Sequence, residues 1–166
     1  MSKAFTKEED GSTPQRLDDL AISAHPNHVT PGGLAQLAAR AKTLEARIAN
    51  LRAAGDDPET LYPLAVAERD LRYVQARLAS AQVVHPPEAG YASVQFGAVV
   101  DVLDESGTPA TYRIVGEDEA DPSHGLIAAP SPLARALLEA APGDVVEWSK
   151  PTGAVELEVV AIRLAD

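Results

Sequence analysis

Hydrophobic residues recur every three or four positions in two stretches, one on each side of the short polar segment at residues 55–59. The apolar positions are Leu34, Leu37, Ala41, Leu44, Ile48 and Leu51 in the first stretch and Leu64, Ala67, Leu71, Val74, Leu78 and Ala81 in the second. A spacing of about 3.5 residues keeps an apolar stripe on one side of a helix, where a partner helix can cover it. A short connection makes two such helices antiparallel neighbours. The pattern therefore predicts an antiparallel coiled-coil hairpin over residues 29–84, with its tip at residues 55–59.

The starts of both predicted helices carry capping signals. Thr30 followed by proline is typical of a helix start, because threonine caps free amide groups and proline loses no hydrogen bond at the first position. The second helix has two possible starts. With Asp57 as the N-cap, Pro63 lies inside the helix and removes a hydrogen bond, whereas with Thr60 as the N-cap it lies in the first turn. We favour Thr60, with residues 56–59 forming a separate tight turn.

Beyond the hairpin, the spacing of hydrophobic residues changes. Two prolines and a glycine at residues 85–90 predict a hinge. Stretches rich in Val, Ile, Phe and Tyr then predict strands, and Ser131 followed by proline predicts the start of a short helix. The expected strands lie at residues 93–102, 110–115, 125–129, 145–148 and 155–164. We expect an antiparallel sheet with one short helix over residues 91–166, so that the whole chain is of the α+β class.

The N-terminal residues and the composition add several expectations. Residues 1–28 are polar and show no sustained period, which predicts a disordered tail. The chain has no cysteine, no apolar run long enough for a membrane span and no apolar core of a secretory signal, so we expect a cytoplasmic protein without a membrane partner. The histidines are scattered and predict no metal site; they are His25, His28, His85 and His124.

Acidic and basic residues are separated along the predicted hairpin. The tip carries Asp56, Asp57 and Glu59. The outer faces of the helices carry Arg40, Lys42, Arg47, Arg52, Arg69, Arg72 and Arg77. On their own, the tip acids are explained by helix capping and the basic residues by a solvated face. The formal net charge of −11 argues against nucleic-acid binding through the overall field and favours a basic surface on another protein.

The C-terminal half resembles the bacterial Gre transcript cleavage factors. The residues that carry the resemblance are YRIVGEDEAD at 112–121, SPLARALL at 131–138, and the glycines at 143 and 153. The opening MSKAFT and the helix start at Thr30 resemble the GreB branch. At the tip, Asp56 and Glu59 are in register with the family pattern, but Thr60 stands where the family has asparagine. Each helix of the hairpin is about one heptad shorter than in the GreB branch.

The resemblance implies an FKBP-like C-terminal domain that docks on the rim of the RNA polymerase secondary channel, with the coiled coil inside the channel. The tip residues Asp56, Glu59 and Asp57 would help to hold a Mg²⁺ ion shared with the polymerase, whose own active site cleaves backtracked RNA. The docking residues would be Ser131, Pro132, Arg135, Glu119 and Asp121. The chain would then be a monomeric accessory factor rather than an enzyme, with no tightly bound cofactor of its own and only indirect contact with nascent RNA.

Three functions remain open from the sequence. A cleavage factor is chemically reasonable, because two metal ions about 4 Å apart stabilise both the attacking and the leaving oxygen of a phosphodiester. A shortening of seven residues per helix would reduce the reach by about 10 Å, which keeps open a Gre-like regulator that inhibits polymerase without cleavage. A coiled-coil interaction module unrelated to polymerase is the third. The prolines of the hinge leave the angle between arm and domain undetermined.

Overall fold

The structure, a computed structural model, describes residues 16–166. A long helical hairpin, here called the arm, is followed by a small β domain, which confirms the predicted α+β class. In chain order the elements are β1 (His28–Val29), α1 (Pro31–Ala53), α2 (Pro58–Ser80), β2 (Gln82–Val83), β3 (Val99–Asp104), β4 (Pro109–Val115), β5 (Leu126–Ala128), α3 (Pro132–Leu137), β6 (Val145–Lys150) and β7 (Gly153–Arg163). No helix among the described residues is long and apolar enough to cross a bilayer.

The two helices of the arm pack along the predicted seam. Leu37, Ala41 and Ile48 of α1 are buried, as are Ala67 and Val74 of α2, and the remaining seam leucines are half-buried. The pattern of burial therefore confirms the antiparallel hairpin. Near the base of the arm, Tyr73 packs against the buried cluster that contains Leu37, Ala41 and Val74.

The second helix begins earlier than we favoured. Its N-cap is Asp57, whose carboxylate accepts the Glu59 N–H at 3.0 Å, and Pro63 lies inside the helix. Starting at Pro58 gains a capping carboxylate, a proline at the first position and an acidic first turn, each of which stabilises a helix N-terminus. These gains and the extra length of packed helix outweigh the one hydrogen bond that Pro63 removes. The prediction of Thr60 as N-cap is therefore wrong.

The sheet of the β domain has the order β5-β4-β3-β7-β6. Its neighbouring strands are antiparallel except for β4 and β5, which are parallel, so the prediction of a purely antiparallel sheet is wrong. Apolar alternation along a strand is the same in either direction, so local sequence carries no sign of a parallel pair. Helix α3 covers one face of the sheet, where Leu133 and Leu137 pack against buried residues that include Val100, Ile114 and Val159.

The strand predicted at residues 93–102 begins only at Val99. The residues before it form a loop in which Gly97 has a φ of +88° and Val94 donates its N–H to Ala140 O at 2.8 Å. Val94 is fully buried, so its hydrophobicity records burial in the core rather than strand pairing. The predicted hinge at residues 85–90 lies in the same irregular connection between β2 and β3.

The chain before α1 lies against the arm, and residues 16–27 are here called the strap. Arg72 of α2 donates to Asp19 Oδ1 and, at 2.8 Å, to Leu17 O. At the end of the strap, β1 pairs in parallel with β2, which directly follows α2. The prediction of a disordered tail is therefore wrong for residues 16–28, while residues 1–15 lie outside the described part of the chain. The strap connects the arm to the β domain, because Ser23 also donates to Glu117 at 3.0 Å.

Candidate functional site at the tip and the base of the arm

The turn at the tip is held by its own backbone and by two side chains. Gly55 has a φ of +82°, which places it in the left-handed conformation that ends many helices. Asp57 caps α2, and the Thr60 hydroxyl donates to Asp57 O at 2.8 Å and to Gly55 O at 3.2 Å. Thr60, at the position where the related pattern has asparagine, therefore stabilises the shape of the turn.

Asp56 and Glu59 are exposed at this turn. Among residues 16–166, neither carboxylate takes part in a hydrogen bond or an ion pair within the chain. Both are therefore available to an external cation. The residues described contain no group of three His, Asp or Glu side chains placed to hold a metal ion by themselves. The tip can contribute carboxylate ligands to a Mg²⁺ ion that is also held elsewhere, as is common where Mg²⁺ is bound together with phosphates.

The basic residues of the arm fall into two groups. Arg40, Lys42 and Arg47 are exposed and have no carboxylate of residues 16–166 within ion-pair distance. Arg52 pairs with Glu68 at 2.7 Å across the hairpin. Arg69 pairs with its neighbour Asp70 at 2.8 Å, and Arg72 holds the strap through Asp19. Only the first group is therefore free, within the described chain, to attract an anionic partner.

The expected docking residues near α3 lie at the surface of the β domain. The Ser131 hydroxyl caps α3 by accepting the Ala134 N–H at 3.3 Å, while Pro132 and Arg135 are exposed. Asp121 caps the short 3₁₀ turn that follows β4 and contacts Ser123 and His124, whose hydrogen bonds keep the pKa of the Asp121 carboxyl below its usual range. These residues can be reached by a partner protein.

Glu119 is placed differently from the other expected docking residues. Only 6% of its side chain is exposed, and its Oε2 accepts the Thr30 hydroxyl at 2.5 Å. Gly33 leaves room for the carboxylate, because a Cβ at that position would lie 2.5 Å from Glu119 Oε2. The side chain of Glu119 thus points inward to the start of α1 and is not exposed at the surface of the molecule.

Sequence reasoning missed a second group of residues at the base of the arm. Arg77, which we placed on the outer face of α2, is 1% exposed. Its guanidinium donates to Asp118 at 2.6 Å and to Asn27 Oδ1 at 2.8 Å. Asp118 also accepts a hydrogen bond from the Tyr73 hydroxyl at 2.6 Å. The pKa of Tyr73 is raised to about 12, first by burial and second by this hydrogen bond. The one available signal was that Arg77 directly precedes the seam residue Leu78.

A cavity of about 410 Å³ lies next to these residues, where the strap, the arm and the β domain meet. Its walls include Asn27, Phe96, Glu117 and Arg135. Glu117 Oε2 has no hydrogen-bond partner among the described residues, although the Arg77 guanidinium lies 3.7 Å from it. The cavity therefore lies between three separate parts of the chain, beside the buried Arg77.

Comparison with known proteins identifies relatives of this chain. Residues 88–164 match the family described as "Transcription elongation factor, GreA/GreB, C-term". The chain is 44% identical over 98 residues to transcription elongation factor GreA of Alkalilimnicola ehrlichii, and the alignment covers 58% of this chain and 62% of that protein. It is 43% identical over 123 residues to GreA of Verminephrobacter eiseniae, covering 69% of this chain and 78% of the relative. Both relatives are named GreA, and the expected GreB branch is not confirmed.

A solved structure of a similar protein is the prokaryotic transcription elongation factor GreA/GreB from Nitrosomonas europaea. It is 24% identical to this chain, with a TM-score of 0.41 over 82% of this chain and 98% of the solved one.

Proposed function

We infer the function from one premise: this chain belongs to the GreA/GreB family of transcription elongation factors. We propose that it binds RNA polymerase, inserts the arm into the secondary channel and presents the tip carboxylates to the polymerase active site. The observation that supports this most directly is the exposure of Asp56 and Glu59 at the far end of the arm, outside the hydrogen bonds and ion pairs of residues 16–166. Carboxylates placed in this way can reach a metal ion held by another protein.

The proposed chemistry belongs to the polymerase, and the chain assists it. Asp56 and Glu59 would supply oxygen ligands to a Mg²⁺ ion of the polymerase site, and that ion would activate water for cleavage of backtracked RNA. Asp57 and Thr60 would keep the turn in shape, because both are already engaged in it. The chain is then an accessory factor without a catalytic site of its own. The shared Mg²⁺, the monomeric state and the cytoplasmic location remain predictions.

Docking is proposed to use the surface near α3. Pro132, Arg135 and Asp121 would contact the rim of the channel, and Ser131 would hold the N-terminus of α3 in place for that contact. Glu119 would contribute indirectly, through its contact with Thr30 at the base of the arm. The exposed cations Arg40, Lys42 and Arg47 would lie along the shaft that enters the channel, where the nascent RNA is near.

Cleavage of RNA in stalled, backtracked elongation complexes tests this function. The wild-type chain should shorten the RNA, and the double variant Asp56→Asn with Glu59→Gln should reduce the rate to that of polymerase alone. A matched control changes two exposed acids of the β-domain side of the chain, Glu88→Gln with Glu147→Gln, and should retain cleavage. Retention of full activity by the tip variant would show that the tip carboxylates do not bind the metal ion.

A regulator that does not cleave is the second candidate, because the resemblance implies an arm about one heptad shorter in each helix than in the GreB branch. Each helix has 23 residues, which span about 35 Å at 1.5 Å per residue. If the wild type leaves backtracked RNA intact but inhibits initiation, the arm occupies the channel without reaching the metal. A pull-down from cell extract that captures no polymerase subunit would instead support an interaction module of unrelated function.

A further inference from the structure

We propose that the loop at residues 116–119, here called the clasp, fixes the direction of the arm by holding each of its two helices at a separate point. In this arrangement Asp118 and Glu119 are positioning residues that act through the arm on its tip. The direction of the arm follows from contacts within the chain and stands whether or not the proposed function is correct. Only the effect on tip chemistry rests on that function.

The first point of the clasp holds α2. Asp118 accepts the Arg77 Nε–H through Oδ2 and the Tyr73 hydroxyl through Oδ1, both at 2.6 Å. Arg77 is almost completely buried, so water cannot replace Asp118 as the partner of its charge. The loop must therefore stay where Asp118 reaches Arg77. Asn27 extends this point to the strap, because its amide donates to Arg77 O at 2.8 Å while its oxygen accepts from the guanidinium.

The second point holds α1. Glu119 accepts the hydroxyl of Thr30, the N-cap of α1, and that same hydroxyl accepts the Gly33 N–H at 2.9 Å. Arg113 of β4 lies 4.0 Å from the Glu119 carboxylate and gives it a cation from the β domain. The start of α1 is therefore joined through Glu119 to the sheet.

The clasp itself is well supported. The N–H groups of Glu119 and Ala120 both donate to Gly116 O, at 3.2 and 3.1 Å, so the loop forms a closed turn. Gly116 also allows close contact with β1, since a Cβ there would lie 2.5 Å from His28 O. A single contact would let the arm rotate about that point. Contacts with both helices of the packed hairpin fix the direction of the arm. The irregular connection after β2 would not determine it alone.

The length of the arm makes this direction important for the tip. The tip lies about 35 Å beyond Thr30, so a rotation of about 10° at the base moves it by roughly 6 Å. A metal–oxygen bond of about 2 Å does not tolerate such a displacement. Orientation at the base therefore determines whether Asp56 and Glu59 can reach a metal at all.

The test measures the distance between arm and domain in the free protein. The chain has no cysteine of its own, so spin labels attached at Asn50→Cys on the arm and Ser149→Cys on β6 report the single distance between these two positions. The parent protein should give one narrow distribution. The first point is removed by Arg77→Met with Asp118→Asn, which deletes both charges together. Its control removes an exposed pair within the sheet, Arg163→Met with Asp101→Asn.

The second point is tested with two neighbouring glycines. Gly33→Ala would displace the Glu119 carboxylate, whereas the Cβ of Gly32→Ala meets Thr30 and Glu119 only at ordinary contact distances of 3.8 and 3.9 Å. Both changes replace glycine by alanine in the first turn of α1, so a difference between them comes from the contact between Glu119 and Thr30, which only the Cβ at position 33 crowds. We expect the distance distribution to become at least twice as wide in the charge-pair variant and in Gly33→Ala, each tested alone, and to keep its width in the two controls.

Two further measurements separate the possible outcomes. Circular dichroism and melting confirm that each variant is folded, and Gly33→Ala keeps the proposal testable if the charge-pair variant does not fold. In cleavage assays, the clasp variants should lower the maximal rate at least tenfold while the half-saturating concentration stays unchanged. An unchanged distance distribution in folded clasp variants would overturn the proposal. A broadened distribution without any cleavage by the wild type would instead overturn only the proposed function.

Discussion

Arg77 illustrates how much a single buried cation determines in this protein. Its guanidinium is removed from water and satisfied by acceptors from two other parts of the chain, Asp118 after β4 and Asn27 of the strap. An arginine suits this role because its planar group offers several fixed donors at once. A buried charge is costly unless it is paired and hydrogen-bonded, so the loop and the strap must both be in place when α2 packs.

At the residue scale, Gly116 should not tolerate a side chain. We expect Gly116→Ala to destabilise the fold by about 1–3 kcal/mol, because the added Cβ meets the backbone oxygen of His28, which cannot rotate away. Urea denaturation gives the change in the free energy of unfolding. Gly32→Ala serves as the control, since its Cβ has room. Equal stability of the two variants would show that β1 can move away from Gly116 at no cost.

The ion pair between Asp101 of β3 and Arg163 of β7 predicts a pH effect. Hydrogen bonds from Arg163 and then Thr111 hold the pKa of Asp101 below its ordinary value of 3.8. The stabilisation is therefore present above about pH 3.8 and is lost as the pH falls through the lower pKa of the folded state. Asp101→Asn should lower the urea midpoint at pH 7, and the difference from wild type should shrink towards pH 3. A constant difference at both pH values would contradict this.

At the scale of elements, the arm is stabilised mostly by features that its own sequence contains. The seam supplies the packing, and each helix has a capping side chain and a proline in the first turn. Helices of this length gain most of their stability from a packed apolar face, and caps then determine where they start. That is why the hairpin and its tip could be located from the sequence to within a few residues.

Two neighbouring acids at the tip should therefore behave differently. Asp57→Ala should cost about 1 kcal/mol of stability because it removes the N-cap of α2, whereas Asp56→Ala should have almost no effect on stability. In cleavage assays the order should be reversed, with Asp56→Ala the more damaging change. Melting curves and RNA cleavage rates measured on the same two preparations test both halves. A larger loss of stability from Asp56→Ala would mean that Asp57 is not the cap.

At the scale of the whole molecule, the strap makes arm and domain one unit. It lies against α2, contributes Asn27 to the cluster around Arg77, and leads directly into β1, which pairs with β2 at the base of the arm. Its contacts reach residues that lie far along the chain, such as the hydrogen bond from Ser23 to Glu117. The polar, aperiodic sequence of the strap gives no sign of this, because its interactions are hydrogen bonds and ion pairs rather than a packed apolar face.

Truncation should reveal the contribution of the strap. A chain that lacks residues 1–26 loses the contacts of Leu17, Asp19 and Ser23, whereas a chain that lacks residues 1–15 keeps them. We expect the longer truncation to melt at least about 2 °C below the shorter one. Calorimetry of the two truncated chains makes the comparison directly. Identical melting temperatures would show that these contacts form without stabilising the fold.

The sequence by itself determined the features that depend on neighbouring residues. Spacing of three and four located the hairpin, stretches rich in Val, Ile, Phe and Tyr located β4 and β7, and capping signals located α1 and α3. The exposed carboxylates Asp56 and Glu59 followed from the same pattern, because a turn between two packed helices must face solvent. These features repeat a local geometry, so a local pattern is enough to reveal them.

Only the tertiary structure decided where the charged side chains at the base of the arm point. The partners of Arg77 and Thr30 lie 41 and 89 residues away along the chain, and no periodic pattern records contacts at that separation. For the same reason the inward position of Glu119, the path of the strap and the parallel pairing of β5 could not be predicted. A periodic sequence specifies which face of an element is buried, whereas the partner on that face depends on how the distant parts of the chain pack together.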